Sequence, residues 1–317
     1  MAERALDSLE LEPWLGLWEE TTGGRAALIN LSENHTFRID APDGRRHILR
    51  LHRPGYQSLA AVQSELAWIS ALRDTGLPLP KALPGRNGDL VQQAAGQRLA
   101  VLFAFEEGRE PEAGEDLATL FRTIGGYSAI AHRHVEAWRP PEGFVRPAWT
   151  TEAILDPEGL WGDWRQAPGV EGKTRRTLDD LDRRLRAALA AYGTGPDRFG
   201  LIHADMRLAN LLVAGDRVTL IDFDDCGFGW FMYDLAASLS FNETSSHAAS
   251  LKKNWIAGYA TVRPLSREDL SIIDTMILFR RMALLAWIGS HAETGLARQH
   301  RERFAADTVQ LADTWSV

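Results

Sequence analysis

One segment, residues 201–235, constrains the fold of this chain more than any other part of its sequence: LIHADMRLANLLVAGDRVTLIDFDDCGFGWFMYDL. This segment concentrates polar side chains that can position reacting groups or neutralise charge: His203, Asp205, Arg207, Asn210 and Asp222. Two short apolar runs, 210–213 and 218–222, flank Ala-Gly-Asp-Arg, and this pattern predicts a β-hairpin. The hairpin would carry the polar loop on one side and Asp222 on the other.

Phosphoryl transfer needs the parts that this segment contains, in the same order. A kinase places a carboxylate beside the attacking hydroxyl, an Asn on a metal ion and a second carboxylate on that metal. The segment resembles the H-R-D-L-x-x-x-N and D-F-G pieces of protein kinases. It is more similar to the H-G-D-x-x-x-x-N … I-D-F-D/E form of the aminoglycoside phosphotransferase and choline kinase family. One departure is Ala204, where that family usually has Gly.

The resemblance implies a role for each side chain of the polar loop. Asp205 would accept a hydrogen bond from the acceptor hydroxyl and aim it at the γ-phosphorus, and Arg207 would neutralise charge on the γ-phosphoryl group. His203 would brace the loop. Asn210 and Asp222 would coordinate Mg²⁺, which prefers oxygen ligands.

Three further carboxylates follow Asp222. For Asp224 and Asp225 the alternatives stay open: a second metal contact, recognition of a cationic substrate, or a solvated acidic turn. Asp234 opens an apolar segment, where a carboxylate suits a helix start or a bond to nearby backbone. In the family an Asp here braces the catalytic loop, so the resemblance implies structural support for Asp234.

The first hundred residues predict a small sheet. Segments 26–31, 36–40 and 47–51 are strand-like, and Ala-Pro-Asp-Gly at 41–44 is typical of a turn. A kinase usually carries a lysine on the third of these strands to hold the α- and β-phosphates. No lysine occurs there, so the resemblance gives the role to an arginine.

Arg50 is the predicted phosphate-binding residue, because a guanidinium holds phosphate oxygens in a bidentate manner and stays charged. Arg45, Arg46 and Arg53 are the competing candidates. The pattern from 58 to 74 predicts a helix. Its Glu65 would pair with Arg50, as the conserved Lys and Glu of kinases pair.

Two other segments are predicted to contact the nucleotide. The loop 32–36 stands where protein kinases carry a glycine-rich flap, and its backbone N–H groups with Asn34 or Thr36 would cover the phosphates. An ordinary hairpin loop is an equal alternative. The strand 99–105 leads into a hinge at 103–107 whose backbone would meet adenine. Phe103 and Phe105 are therefore predicted cofactor contacts.

The rest of the chain is predicted to be helical. Helical patterns cover 116–138 and 174–192, and Ser266 with Asp269 forms a capping-box signature for a helix reaching about residue 291. Residues 149–169 are rich in Trp, Gly and Pro, and their aromatic side chains are expected to form core rather than a substrate pocket.

Composition excludes several classes of protein. The net charge is −8 with no long basic run, which argues against nucleic acid as a partner. No run of about 18 apolar residues is present, so no membrane-spanning helix is expected. The polar N-terminus predicts no secretory signal. Cys226 is the one cysteine, which favours a reducing cytoplasm without an internal disulfide.

The sequence therefore predicts an α+β, bilobal, protein-kinase-like fold. A small β-rich lobe, 1–107, would bind the nucleotide, and a larger mainly helical lobe, 108–317, would bind the acceptor. The predicted activity is transfer of the γ-phosphate of MgATP to a hydroxyl of a small molecule such as an amino alcohol, sugar or aminoglycoside. The alternatives are a protein Ser/Thr kinase of the same fold and a nucleotide-binding regulator without turnover. Only eleven residues separate Asp222 from Asp234, which leaves no room for a long activation segment.

Overall fold

The computed structural model describes residues 11–31, 34–94, 98–112 and 115–315. Within them the chain forms two compact units. The first contains the chain up to Arg109 together with Pro140–Arg146 and Leu212–Asp224. The second contains Glu110–Arg139, Pro147–Leu211 and the chain from Asp225 onward. The predicted division after residue 107 stays a prediction.

The first unit is built on a six-stranded antiparallel sheet. Its strands are β1 (Arg25–Leu31), β2 (Asn34–Asp40), β3 (Arg46–His52), β4 (Ala82–Leu83), β5 (Val91–Ala94) and β6 (Arg98–Ala104). They follow the order β1-β2-β3-β6-β4, and β5 also pairs with β6. Helix α1 (Glu12–Leu15) and helix α2 (Leu59–Arg73) accompany the sheet.

Alternation along β2 and β3 explains how this sheet buries one face. Phe37 and Ile39 of β2 and Leu49 and Leu51 of β3 are buried in one cluster with Trp18, as a period of two requires. A hairpin of β8 (Leu211–Ala214) and β9 (Arg217–Leu220) precedes Asp222, as predicted.

The sequence prediction was wrong about the start of β2. Asn34 and His35 were assigned only to the connecting loop, but they lie in the strand, where Asn34 pairs with His52 and His35 with Leu51. Thr36 was predicted both to end that loop and to begin the strand, and it lies in the strand opposite Arg50, as suits a β-branched residue. The flap prediction for Ser32 and Glu33 falls outside the described residues.

The second unit is mainly helical. Its helices are α3 (Leu117–Ala137), α4 (Thr151–Leu155), α5 (Gly172–Tyr192), α6 (Tyr233–Ser238), α7 (Ala248–Tyr259), α8 (Arg267–Ser290), α9 (Gly295–His300) and α10 (Phe304–Thr314). The predicted helices agree with α3, α5 and α8 to within two residues, and the capping box of Ser266 and Asp269 is present. The small pair β7 (Phe199–Ile202) and β10 (Gly227–Trp230) was not predicted.

Helices α3 and α7 pack closely against each other in this unit, and two glycines permit this packing. A Cβ built on Gly258 would lie 1.8 Å from the carbonyl oxygen of Arg122, and one on Gly125 would lie 2.1 Å from that of Trp255. Only residues without a side chain allow the two backbones to approach so closely. In the described part of the chain, no helix has both the length and the apolar composition needed to cross a membrane.

Candidate active site

The predicted catalytic carboxylate, Asp205, lies in the loop that follows β7 and is held at both oxygens. Arg207 Nε donates to Oδ2 at 3.1 Å and Asn210 Nδ2 donates to the same atom at 2.8 Å. Arg280 Nη2, from α8, donates to Oδ1. Burial alone would raise the pKa of Asp205, but the two guanidinium groups outweigh it and lower the pKa. The carboxylate is therefore ionised at neutral pH.

The backbone of this loop is strained at Ala204, whose φ is +66°. Asp234 opposes the strain by accepting hydrogen bonds from the backbone N–H of His203 at 3.1 Å and of Ala204 at 2.8 Å. His132 is buried against Asp234, with Nε2 3.0 Å from Oδ2. The Asp205 N–H donates to His203 Nδ1 at 3.2 Å. Asp234 and His203 thus both shape the backbone of the loop that carries Asp205.

The first unit gathers the residues predicted to bind the nucleotide. Arg50 Nη2 lies 2.8 and 2.9 Å from the two carboxylate oxygens of Glu65. The Arg50 guanidinium also lies over the Phe103 ring, 5.2 Å from its centroid. Burial alone would lower the pKa of Arg50, but the carboxylates of Glu65, Asp224 and Asp222 together raise it. Arg50 is therefore a permanent cation.

Among the described residues of the first unit, Asp222 is the one non-glycine residue in a left-handed backbone conformation, with φ of +63°. Its side chain is 50% exposed, and Oδ1 lies 3.9 Å from Arg50 Nη1. Residues held with positive φ are concentrated at functional sites, where surrounding structure compensates for the strain. The Asp222 carboxylate is accessible for a ligand while its backbone is fixed.

Asp224 and Asn34 form a second polar pair in the same unit, because Asn34 Nδ2 donates to Asp224 Oδ2 at 3.1 Å. Three buried atoms here have no hydrogen-bond partner among the described residues: Arg50 Nε, Asn34 Oδ1 and Asp224 Oδ1. Unpaired buried polar atoms are costly and need an explanation. A metal-bound polyphosphate requires a cationic N–H donor for its phosphate oxygens and oxygen atoms that can bind its metal. Arg50 offers the first and Asn34 and Asp224 offer the second, so these residues fit MgATP.

The remaining predicted residues are placed as follows. Phe105 packs under the Arg46 guanidinium, 4.2 Å from its ring centroid. Asp225 belongs to the second unit, and its backbone carbonyl accepts from Trp149 Nε1 at 2.9 Å. Neither Phe105 nor Asp225 is among the residues described above as contacting Arg50 or Asp205. The roles assigned to all these residues from the sequence stay predictions.

Sequence reasoning missed two buried arginines, one in each unit. Arg280 contacts Asp205, and Arg146 donates from Nη1 to the Ala61 carbonyl at 3.1 Å and from Nη2 to the Asp224 carbonyl. A signal existed for Arg280, because it interrupts the apolar pattern MILFRRMALLAWI of α8. Arginine inside an apolar helix requires buried partners. No comparable pattern surrounds Arg146.

Comparison with known proteins agrees with this geometry. The profile of the phosphotransferase enzyme family matches residues 27–266. The structure of a microcompartment-associated aminopropanol kinase is 36% identical, with a TM-score of 0.88 and coverage of 95% of both chains. Homoserine kinase from Rhizobium rhizogenes is 30% identical over 67% of this chain and 63% of its own length.

A third protein shares the fold. Amicoumacin kinase hAmiN, solved with AMP-PNP, Ca²⁺ and Ami, is 18% identical, with a TM-score of 0.80 and coverage of 98% of this chain and 96% of its own. The predicted fold class, an antiparallel β-rich N-terminal region followed by a helical region as in kinases, is confirmed. The predicted family resemblance is also confirmed, and the chain belongs to the phosphotransferase enzyme family.

Proposed function

We propose that this protein transfers the γ-phosphoryl group of MgATP to the hydroxyl group of a small amino alcohol. The coarser part follows from the family: it is a phosphotransferase that acts on a hydroxyl acceptor, as predicted from the sequence. The observation that carries the proposal is the ionised Asp205 carboxylate, oriented by Arg207, Asn210 and Arg280.

Separate residues of the chain are proposed to bind the nucleotide and the metal. Arg50, held by Glu65, is suited to phosphate oxygens, and Asn210 and Asp222 are the proposed metal ligands. Asp224 Oδ1 is a further oxygen donor that has no partner among the described residues. Bound ATP would supply the transferable phosphoryl group, and the Mg²⁺ ion would neutralise part of the phosphate charge. The AMP-PNP and Ca²⁺ bound by hAmiN support a nucleotide with a divalent cation.

Asp205 provides the chemistry at the acceptor. Its carboxylate accepts a hydrogen bond from the acceptor hydroxyl and so directs the oxygen lone pair at phosphorus. A new O–P bond forms as the bond from phosphorus to the ADP oxygen breaks, and the hydroxyl proton moves towards Asp205. Because the neighbouring guanidinium groups lower the pKa of Asp205, we infer that it acts more by orientation than by holding the proton.

The named relatives support an acceptor that combines an amine with a hydroxyl group. Aminopropanol and homoserine, the acceptors in the names of two relatives, both have this combination. The carboxylate of Asp225 lies in the same unit as Asp205, within electrostatic range of Arg280, and is suited to a cationic amine. We also propose a cytoplasmic location, which the single buried cysteine, Cys226, supports.

A screen for ADP release tests the proposal. The purified protein is given MgATP with 1-amino-2-propanol, ethanolamine, homoserine or a Ser/Thr protein substrate, and with 2-propanol and propylamine as controls that lack one of the two groups. MgATP affinity is measured on the same preparation. We expect saturable turnover with at least one amino alcohol and none with the controls. Turnover only with a Ser/Thr protein substrate would favour a protein kinase. MgATP binding without turnover on any acceptor would favour the regulator.

A further inference from the structure

Arg280 is a fully buried cation in the middle of the long helix α8. Its side chain is 1% exposed, and every nitrogen of its guanidinium group donates a hydrogen bond. Nε donates to Ser240 Oγ at 3.1 Å, Nη1 to the Ala204 carbonyl at 3.2 Å and to the Tyr233 hydroxyl at 3.3 Å, and Nη2 to Asp205 Oδ1. Two of these acceptors are consecutive residues of the loop that carries the reacting carboxylate.

The contact with Ala204 places Arg280 opposite Asp234. Asp234 accepts from the N–H of Ala204, while Arg280 donates to its carbonyl, so the strained residue is held from both sides of its peptide unit. The next residue is Asp205, whose Oδ1 is bound by the same guanidinium group. One rigid, planar group therefore fixes both the backbone that precedes the carboxylate and the carboxylate itself.

Stability alone does not account for a cation at this position. Burying a guanidinium group costs free energy, and replacing a buried ion pair with well-packed apolar side chains is often neutral or stabilising. Apart from Arg281, the residues of α8 from 276 to 288 are apolar, and residues 282–286 are all buried. The Trp161 ring, 5.2 Å from the guanidinium carbon, extends these apolar surroundings. A residue that is costly to bury and aimed at the reacting carboxylate is a candidate for function.

We propose that Arg280 is a positioning residue for phosphoryl transfer, which holds the Ala204–Asp205 loop so that one Asp205 oxygen faces the acceptor hydroxyl. The proposal rests on the role proposed above for Asp205. Arg280 Nη2 donates to Oδ1 of Asp205, and Arg207 and Asn210 donate to its Oδ2. In the proposed reaction Arg207 also serves the phosphate and Asn210 the metal. Arg280 thus fixes the rotation of the carboxylate, while the other two contacts are available to rearrange.

The adjacent residue Arg281 provides a matched control. It is buried to the same degree, on the same helix, but it donates to Thr308 Oγ1 at 2.9 Å, to Glu243 Oε2 at 2.9 Å and to the Phe304 carbonyl at 3.1 Å. Arg280→Met and Arg281→Met therefore each remove one buried guanidinium group from α8. Only the first removes a contact to the Asp205 loop.

The test measures turnover, nucleotide affinity and hydrogen exchange on the same variants. With 1-amino-2-propanol as acceptor, or with water if that alcohol is not accepted, we expect Arg280→Met to lower kcat by about 10²-fold, the usual cost of a misplaced reacting group. The dissociation constant for MgATP should not change. Arg280→Lys should recover part of kcat, because lysine keeps the positive charge but lacks the several N–H donors of the planar guanidinium group. Arg281→Met should retain kcat.

Hydrogen exchange tests the mechanism without any acceptor. In Arg280→Met the amides of residues 203–206 should exchange faster. In Arg281→Met faster exchange should be confined to the amides around Glu243 and Phe304. If Arg280→Met does not fold, Arg280→Lys carries the same comparison. Normal kcat and unchanged exchange at 203–206 in the Arg280 variants would overturn the proposal, as would an equal loss of kcat in Arg281→Met.

The failure of this proposal can be told apart from failure of the proposed function. Asp205→Asn is measured beside the arginine variants. If Asp205→Asn retains turnover, the role proposed for Asp205 is wrong and the role of Arg280 fails with it. If Asp205→Asn loses turnover while Arg280→Met retains it, only the role of Arg280 is wrong.

Discussion

The Arg50 guanidinium and the Glu65 carboxylate form a buried ion pair, with one nitrogen 2.8 and 2.9 Å from the two oxygens. Glu65 is fully buried and Arg50 is 8% exposed. Burial raises the pKa of Glu65, and the charge of Arg50 opposes this. An isolated charge at either position would be costly. The pair therefore holds Arg50 in one orientation, in which its Nε has no partner among the described residues and its Nη1 lies 3.9 Å from Asp222.

We predict that Arg50→Ala weakens MgATP binding by about 1.5–3 kcal/mol, the usual contribution of hydrogen bonds to a charged group. Arg50→Lys should recover only part of this, since the bidentate geometry is lost. Calorimetric titration measures both. The control is Arg46→Ala on the same strand, because Arg46 is 40% exposed and pairs with Glu107. A nucleotide complex with Arg46 rather than Arg50 on the phosphates would contradict the assignment.

Asp222→Asn should abolish most of the magnesium dependence of nucleotide binding. The half-exposed carboxylate is fixed by a backbone of positive φ, and the amide of Asn is a weaker ligand for a hard cation. The measurement is nucleotide affinity with and without Mg²⁺. Asp216→Asn, in the exposed turn of the same hairpin, is the control. An unchanged response to Mg²⁺ in Asp222→Asn would show that another group binds the metal.

Low pH should destabilise the protein through His52. Burial, with the positive charges of Arg50, Arg98 and Arg146, lowers the pKa of His52 to about 2. Above pH 6.5 the imidazole is neutral in both the folded and the unfolded chain. Below pH 6.5 only the unfolded chain gains the proton, so stability falls as pH falls, by about 2 kcal/mol at pH 5.

Urea unfolding at pH 7 and pH 5 measures this effect. His52→Phe keeps a planar ring of similar size and should reduce the difference between the two pH values by about 2 kcal/mol. His52→Leu provides a second variant in case Phe does not fit. His247→Gln, at an exposed site, should leave the difference unchanged. An unaltered pH dependence in both His52 variants would mean that other groups account for the acid sensitivity.

Gly258→Ala should destabilise the helical unit. The added Cβ would lie 1.8 Å from the Arg122 carbonyl, so α3 and α7 would have to separate, at a cost of about 1–3 kcal/mol. Gly126→Ala is the control, because its Cβ would lie 3.8 Å from the Gly258 carbonyl, and alanine favours a helix. Thermal unfolding should separate the two variants. Equal melting temperatures would show that the helix pair adapts without cost.

Local patterns predicted most of the elements and the loop that carries Asp205. Strand-like residues on either side of the Ala-Pro-Asp-Gly turn predicted β2 and β3 of the N-terminal sheet, and the Ser266–Asp269 capping signature predicted the start of α8. These signals depend on residues close in sequence, so they can be read without the fold. The Arg50–Glu65 pair was also expected, because the family pattern specifies both positions.

Contacts between distant segments could not be predicted in the same way. Arg280 is 75 residues from Asp205, and Arg146 is 78 residues from Asp224. Neither pair produces a recognisable pattern in the sequence, because each contact forms only when distant elements pack together in the folded chain. The pairing of β7 with β10 was missed for a similar reason, because both strands are only four residues long and β10 contains two glycines.

Asp205→Asn should separate catalysis from nucleotide binding. The substitution keeps the shape of the side chain but removes the negative charge that attracts the hydroxyl proton, so phosphoryl transfer should fall by about 10²–10⁴-fold. It also leaves Arg280 and Arg207 without their carboxylate partner, so the melting temperature is measured alongside. Binding of MgATP should change little, because the proposed ligands of the phosphates and the metal are Arg50, Asn210 and Asp222, and none of them is replaced. Loss of MgATP binding together with transfer, in a variant that melts normally, would mean that Asp205 serves the nucleotide and not the acceptor.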